Sequence, residues 1–405
     1  MSDYKGLIIG KQAPIEVDTE YWQFGIVSNG VKLIDPQLHY TSFPLGYYDE
    51  HNIIDRVCDR MKMHKPEIGD NLFKSYAPTL NTPHVELCQK LYDMTNGYRT
   101  MFTLSGSDGV EAAVKLAFAY GQAQGRTRKK IVSFTDAYHG ATLMTLTIGS
   151  HGLEGGFHGL NPYPDVIKLS PDMHETVDWD TVSCIVLETC PHISRYGPYD
   201  DSIYDKIKQI QSKHDVIVIV DDIWMSGGKT GSFFGFDKMP VNPDIFVQGK
   251  AITGGHFPLS TVMYNQKIHD AIQYTGWIHG HTYSFSLPGV CSMLEYMQVL
   301  EEHQYMQRVN KNVERALEVL SHCDCEIKYN YQSMFFIKLS DITVLRFMIP
   351  LNATDEYFDA MSDTIKINIE QDIGHHFYYN VELNLAKIQN EAETISNKNK
   401  GGKTQ

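Results

Sequence analysis

Three stretches end in residues whose type and position could carry reaction chemistry. Lys250 closes the run Asp244-Ile245-Phe246-Val247-Gln248-Gly249-Lys250 and stands before Ala251-Ile252-Thr253-Gly254-Gly255. A lysine acting as nucleophile must lose its proton, so its pKa must fall well below the usual ~10.4. Partial burial beside an imine or another cation lowers it. The competing reading is a solvated lysine at a loop entrance, since lysines are usually surface residues. Asp221 and Asp222 close Val216-Ile217-Val218-Ile219-Val220, a fully apolar run. Unpaired buried charge is costly, so a carboxylate there needs a cation, a metal or a protonated ring nitrogen. Magnesium or zinc is the rival reading, but no Asp/His cluster with metal-ligand spacing accompanies the pair. Glu188 ends a third apolar run, Ile185-Val186-Leu187, and is placed to line the same pocket.

Three further stretches supply contacts rather than reactivity. Leu104-Ser105-Gly106-Ser107-Asp108-Gly109-Val110 turns from an expected strand into an expected helix. Free N–H groups at a helix start make an anion site. There Gly106 permits close approach and Ser107 adds a hydroxyl. An ordinary strand–helix turn with a serine or aspartate cap explains the same residues. Tyr138, in Ala137-Tyr138-His139-Gly140, is either a stacking face for a flat heteroaromatic ligand or a tyrosine half-buried at a sheet edge. His279-Gly280-His281-Thr282-Tyr283-Ser284 suggests a metal pair or, equally, a turn with a hydroxyl donor in Thr282.

These residues need a scaffold, and the pattern around them describes one. Runs rich in Val, Ile and Phe at 101–104, 130–134, 184–187, 216–220 and 244–247 read as strands buried on both faces. Helical spacing lies between them, for example at 110–120. Alternating strand and helix implies a mainly parallel α/β sheet, which binds ligands at the carboxyl ends of its strands. The reactive residues follow the strands directly. From Pro288 the chain becomes helix-rich through 289–303 and 305–322, then strand-like at 334–339 and 344–347. The expected organisation is 1–50 as the N-terminal part of a small domain, 51–287 as the large domain, 288–395 as the C-terminal part of the small domain, and 396–405 as a disordered tail.

The chain has 405 residues, 42% of them hydrophobic, enough for two domains with a large core. Its net charge of −14 and scattered Lys and Arg exclude a nucleic-acid-binding surface and an anionic-membrane patch. The cysteines number seven, are widely spaced, and in part sit in apolar runs, which reads as free thiols in a reducing compartment. Met1-Ser2-Asp3-Tyr4-Lys5 lacks a basic start and apolar core, and no apolar run approaches the ~20 residues of a membrane helix. The expectation is a soluble, cytoplasmic protein.

Order and spacing together point further than any one stretch. A helix-start anion site, a stacking aromatic, a strand-end aspartate and a later lysine are the parts a pyridoxal 5'-phosphate (PLP) site needs. The phosphate takes the N–H and hydroxyl donors, the ring nitrogen takes the carboxylate, and the aldehyde takes the lysine.

With these motifs the chain resembles the class III aminotransferases of the fold-type-I PLP enzymes, over nearly its whole length and most densely from Phe102 to Ser284. Ser105-Gly106-Ser107-Asp108-Gly109-Val110-Glu111-Ala112-Ala113 looks like the family's phosphate cup. The resemblance implies phosphate binding by Gly106 and Ser107, ring stacking by Tyr138, pyridinium pairing by Asp221 and a Schiff base at Lys250. It implies that Glu188 lies near the substrate, that Thr282 reaches the phosphate of a neighbouring subunit, and that Arg346 binds a substrate carboxylate. Arg346 also reads as a surface arginine on a small-domain strand. The implied fold is a large domain with a seven-stranded-type, mainly parallel sheet flanked by helices, plus a smaller α+β domain from both termini. The implied partners are a small-molecule amino donor, a carbonyl acceptor and a second copy in a homodimer with shared active sites. Tyr47, Tyr48, Tyr76, Trp277 and Tyr283 offer aromatic surface for that interface. The implied reaction is transamination; the same scaffold also carries aminomutases and decarboxylases, and a catalytically silent binding subunit is the alternative from another class. Departures from the family fall at Val110 (commonly Asn), at Asp222 (commonly Glu), at Thr189-Cys190-Pro191-His192-Ile193, and in a shortened C-terminal domain. The last bears on the substrate pocket rather than on the cofactor.

Overall fold

The computed structural model describes residues 20–28, 31–64, 82–150, 163, 165–191, 197–276, 279–340 and 343–370. The expected tail at 396–405, and with it Tyr76 and Trp277, lies outside the described residues. The chain divides into two compact units, one made of 40–44 and 49–309, the other of 1–39, 45–48 and 310–405.

The smaller unit holds two three-stranded antiparallel sheets. The first is β1 (Glu20–Trp22), β2 (Gly25–Ser28) and β3 (Val31–Ile34).

The larger unit is built on a seven-stranded sheet in the order β4-β10-β9-β8-β7-β5-β6. Its strands are β4 (Arg99–Thr103), β5 (Lys130–Phe134), β6 (Val166–Leu169), β7 (Val182–Glu188), β8 (Ile217–Asp221), β9 (Ile245–Gln248) and β10 (Ser260–Tyr264). Strand β10 alone runs against its neighbours β4 and β9; the remaining pairs are parallel. Every residue of β7, β8 and β9 is buried. Val, Ile, Leu and Phe fill them because a central parallel strand is covered on both faces.

Helices of this unit are α1 (Ile53–Met63), α2 (Thr82–Met94), α3 (Gly106–Ala123), α4 (Leu143–Ile148), α5 (Asp201–His214), α6 (Gln266–Ile272) and α7 (Leu287–Glu302). The buried stripe of α3, with Val110, Ala113, Val114 and Ala117, joins Val186, Ile219 and Val247 of the sheet in one core. Small alanines let that helix lie close to the strands. Helix α8 (Tyr305–Ser321) contains the division between the units. The smaller unit continues with the sheet β11 (Glu326–Tyr331), β12 (Met334–Ser340) and β13 (Thr343–Met348), and with α9 (Asp355–Glu370).

The division falls at 309/310, beyond the expected boundary at 287/288. The reason is α7, which is buried along almost its whole length. Its Ser292 Oγ donates to Thr253 O (2.9 Å), its Tyr296 OH to Gly227 O (2.7 Å), and its Glu295 accepts from Arg60 Nε (2.5 Å). These bonds commit it to the large unit. Among the described residues no helix is long and apolar enough to cross a membrane.

Candidate active site

The register of β7 and β8 sets Glu188 directly beside Asp221, and β9 ends one strand further on, leading into Gly249-Lys250. Three ionisable residues therefore share the carboxyl edge of one sheet, where open α/β folds place their ligands. Lys250 has φ 50° and opens a short 3-10 turn, Lys250–Thr253. A left-handed non-glycine residue costs ~1–2 kcal/mol, and such strain collects at functional sites. Gly254 and Gly255, at φ 66° and 87°, carry the chain away in the conformation that side chains avoid. Burial pushes the Lys250 ammonium below its usual range, against the opposing pull of Asp221 and Glu188.

Asp221 is 6% exposed. Its Oδ2 lies 2.9 Å from His139 Nδ1, and its Oδ1 accepts the Ile223 N–H at 3.2 Å. His139 Nε2 is buried and has no partner among the described residues, so the proton belongs on Nδ1, donated to Asp221. Two donors face this carboxylate and lone pairs remain for a third. Glu188 Oε2 accepts the Tyr138 N–H at 2.9 Å. Burial first, and Asp221 second, push the Glu188 carboxyl well above the usual range.

The strand–helix turn after β4 adjoins this edge. Ser105 caps α3 by accepting from Asp108 N (3.4 Å). Ser107 Oγ accepts the Ala141 N–H at 3.1 Å, which leaves the hydroxyl proton free to point to an anion. Gly140 has φ 123°, and a Cβ there would collide with Ser107 Oγ. At Gly106 a Cβ would stand 2.6 Å from Ile223 Cδ1. The Gly106–Ser107 and Tyr138–Gly140 motifs, remote in sequence, are thus packed on one another.

Asp222 points the other way and is fully buried. It accepts from Thr189 Oγ1 (2.7 Å) and Gly235 N (2.9 Å), so it clips the loop after β8 back onto the sheet. Burial pushes its carboxyl up to about 7. In the same loop Lys229 is fully buried and donates to Thr41 O and Oγ1 at 3.3 and 3.1 Å. Burial, with the neighbouring Lys250 charge, pushes its ammonium well below the usual range.

Thr282 is exposed, on a turn closed by Ser284 N donating to His281 O (3.1 Å). His281 and His279 face Asp108. Arg346 lies half-buried on β13, opposite Phe336 of β12, in the smaller unit. Sequence reasoning missed His139 as the partner of Asp221, although it quoted the motif that contains it. Only the sheet order brings the two together. It also missed Lys229, which reads as an ordinary loop lysine. It marked Asp222 only as the second carboxylate of the strand end and as a departure from the family's usual Glu, and the bonds to Thr189 and Gly235 now specify it.

A protonated ring nitrogen fits the open lone pairs of Asp221, an aldehyde fits the low-pKa Lys250, and a phosphate fits the start of α3. A mainly parallel sheet bearing this donor set at its carboxyl edge has the form of the fold-type-I PLP enzymes. Comparison with known proteins agrees: residues 24–329 match the family Aminotransferase class-III, and the chain belongs to it. It is an enzyme of that class and depends on PLP. It is 29% identical to the 5-aminovalerate aminotransferase of Pseudomonas putida over 321 residues, 74% of this chain and 72% of that protein. With the adenosylmethionine-8-amino-7-oxononanoate aminotransferase of Nitratidesulfovibrio vulgaris it shares 24% identity over 59% of this chain and 50% of that protein. In fold it is similar to a transaminase from the marine bacterium Virgibacillus, with TM-score 0.74 and 16% identity, covering 88% of this chain and 93% of that one.

Proposed function

We propose that this transaminase moves an amino group between an amino-acid or amine donor and a keto or aldehyde acceptor, with Lys250 joining the cofactor's aldehyde and carrying the transferred proton. The observation that carries the reading is Lys250 itself, a left-handed, partly buried lysine with lowered pKa on the sheet edge that also holds Asp221. When bound, PLP supplies an aldehyde for the donor's nitrogen and a protonated ring that accepts electrons. Lys250 Nζ would join the cofactor's aldehyde and, as the free amine, would move a proton at the donor's carbon; burial favours the neutral form that does so. Asp221 would hold a protonated ring nitrogen, its carboxylate oriented by His139. Ser107 and the first N–H groups of α3 would receive a phosphate, with room left by Gly106. Tyr138, its backbone fixed by Glu188, would supply a stacking face for the ring.

Glu188, beside Asp221 on the strand edge, is proposed to face the substrate; the planar guanidinium of Arg346 is suited to a carboxylate. Two of the similar proteins are named for 5-aminovalerate and gamma-aminobutyrate, acids with a remote amine. That makes omega-amino acids the first donors to test. The exposed Thr282 supports a homodimer in which each copy completes the other's phosphate site. Cys58, Cys88, Cys184, Cys291, Cys323 and Cys325 are thiols rather than disulfides, which supports a cytoplasmic location.

The test is spectroscopic. Purified holoprotein should be yellow, and Lys250→Ala should lose the visible band. A panel of donors should convert the wild-type band to that of the aminated cofactor. An unchanged spectrum in Lys250→Ala, or a wild-type band that no donor shifts, would overturn the assignment.

A further inference from the structure

Asp108 follows Ser107 on the first turn of α3, and its carboxylate reaches well beyond that turn. Oδ2 accepts the Leu104 N–H at 3.3 Å and lies 2.6 Å from His281 Nε2. Oδ1 lies 3.5 Å from His279 Nε2. The neighbours of the two rings decide their tautomers. Lys115 Nζ, which can only donate, sits 2.9 Å from His279 Nδ1. The Tyr283 N–H donates to His281 Nδ1 at 3.3 Å. Both Nδ1 atoms are therefore acceptors, and both histidines carry their proton on Nε2, aimed at Asp108. Burial pushes the Asp108 carboxyl up, but the hydrogen bonds from His281 and Leu104, with His279 close by, outweigh it and hold the group at about 2. Asp108 is thus a carboxylate throughout the working pH range.

A helix cap does not need this arrangement. An aspartate in the first turn already favours the helix dipole and accepts a local N–H. The histidines come from a turn more than 170 residues along the chain, as the 173-residue separation of Asp108 and His281 shows. That turn is rigid about the contact, because His281 N donates to Ser284 Oγ at 2.9 Å and Ser284 N to His281 O at 3.1 Å. Thr282 sits inside it, next to the gripped histidine, and is exposed.

We propose that Asp108 is a positioning residue for the cofactor's phosphate, clasping the Ser107 end of α3 to the turn that presents Thr282. The clasp makes one unit of two phosphate contacts, Ser107 for this subunit's cofactor and Thr282 for the partner's. This rests on the phosphate-site reading above. The residues that receive the phosphate are Ser107 and Thr282; Asp108 acts through them and touches no reacting atom. The surrounding charges are Lys115 on α3 and the two histidines of the turn.

The probes are PLP and pyridoxal, which differ only in the phosphate. Each is titrated into apoprotein while the visible band is followed. Asp108→Asn and His281→Leu are expected to weaken PLP by about ten- to a hundredfold, the usual loss when a hydrogen bond to a charged group is removed. Pyridoxal affinity should stay within about twofold, well inside the spread of a surface substitution. His281→Gln keeps an N–H donor toward Asp108 and should recover most of the loss. If Asp108→Asn does not fold, the His281 pair carries the same comparison from a surface turn. Unchanged PLP affinity in His281→Leu, an equal loss for pyridoxal, or no recovery in His281→Gln would overturn the clasp. Wild-type protein that forms no Lys250-dependent band with either probe would instead overturn the reading on which it rests.

Discussion

Asp221 and Asp222 are adjacent acidic residues, and their bonds separate them. Asp222 is consumed by Thr189 and Gly235. Asp221, with His139 and Ile223 as donors, keeps lone pairs toward the sheet edge. Asp221→Asn preserves size and removes the charge that holds a ring nitrogen protonated. The expected loss is about 3 kcal/mol of barrier, a rate of donor half-reaction lower by about two orders of magnitude. His139→Leu leaves the charge but frees its orientation, and about tenfold is expected, the worth of one hydrogen bond to a charged group. Single-turnover rates with one donor measure both. Near-normal rates in Asp221→Asn would move the role to Asp222 or to neither. The sequence alone pointed to Asp221 because a carboxylate ending an apolar strand has few structural reasons to be there. It was silent on His139, since a bond across 82 residues depends on the sheet order.

The loop from Ile223 to Gly235 shows what a strand-end element needs in order to stay put. Asp222 ties its far end at Gly235, Tyr296 of α7 donates to Gly227 O, and a Cβ at Gly227 would stand 2.8 Å from Ala251 Cβ. The loop is therefore the floor under the lysine turn. Its main tie has a pH signature. The Asp222 carboxyl is raised from 3.8 to about 7, so its contribution to stability is present below pH ~4 and is lost as pH rises through about 7. Asp222→Asn removes that dependence. The mutant's melting temperature should fall furthest below wild type near pH 5 and approach it near pH 8, read by calorimetry at both values. A gap that widens with pH would refute the raised carboxyl. The same scale explains what was legible in the sequence. Strands β5, β7, β8 and β9 announce themselves as runs of Val, Ile and Phe because both faces are covered. Edge strand β6 has only Leu169 buried, and β10 begins with Ser260-Thr261, so neither gives a continuous apolar run. Pro288 looks like a break in the sequence, whereas it stands at the start of α7, where proline is tolerated.

At the scale of the whole molecule the argument concerns a second copy. Thr282 and its neighbour Tyr283 are exposed in the single chain. If Thr282 serves the partner's phosphate, a monomer has an incomplete cofactor site, and the dimer should be obligate. Obligate interfaces commonly bury more than ~2,000 Å² and are strongly apolar. A ligand that bridges two subunits binds the assembled state better, so PLP should stabilise the dimer by mass action. The holoprotein should therefore sediment as a dimer, or a dimer of dimers, at micromolar concentration, and the apoprotein should dissociate at a higher concentration than the holoprotein does. Thr282→Ala should lose PLP faster on dialysis while Lys250 still produces the visible band, because the mutation removes a phosphate contact and leaves the aldehyde's partner intact. Sedimentation velocity with absorbance at the cofactor band reads mass and occupancy together. A monomer that keeps PLP and full activity would defeat both the shared site and the role given to Thr282.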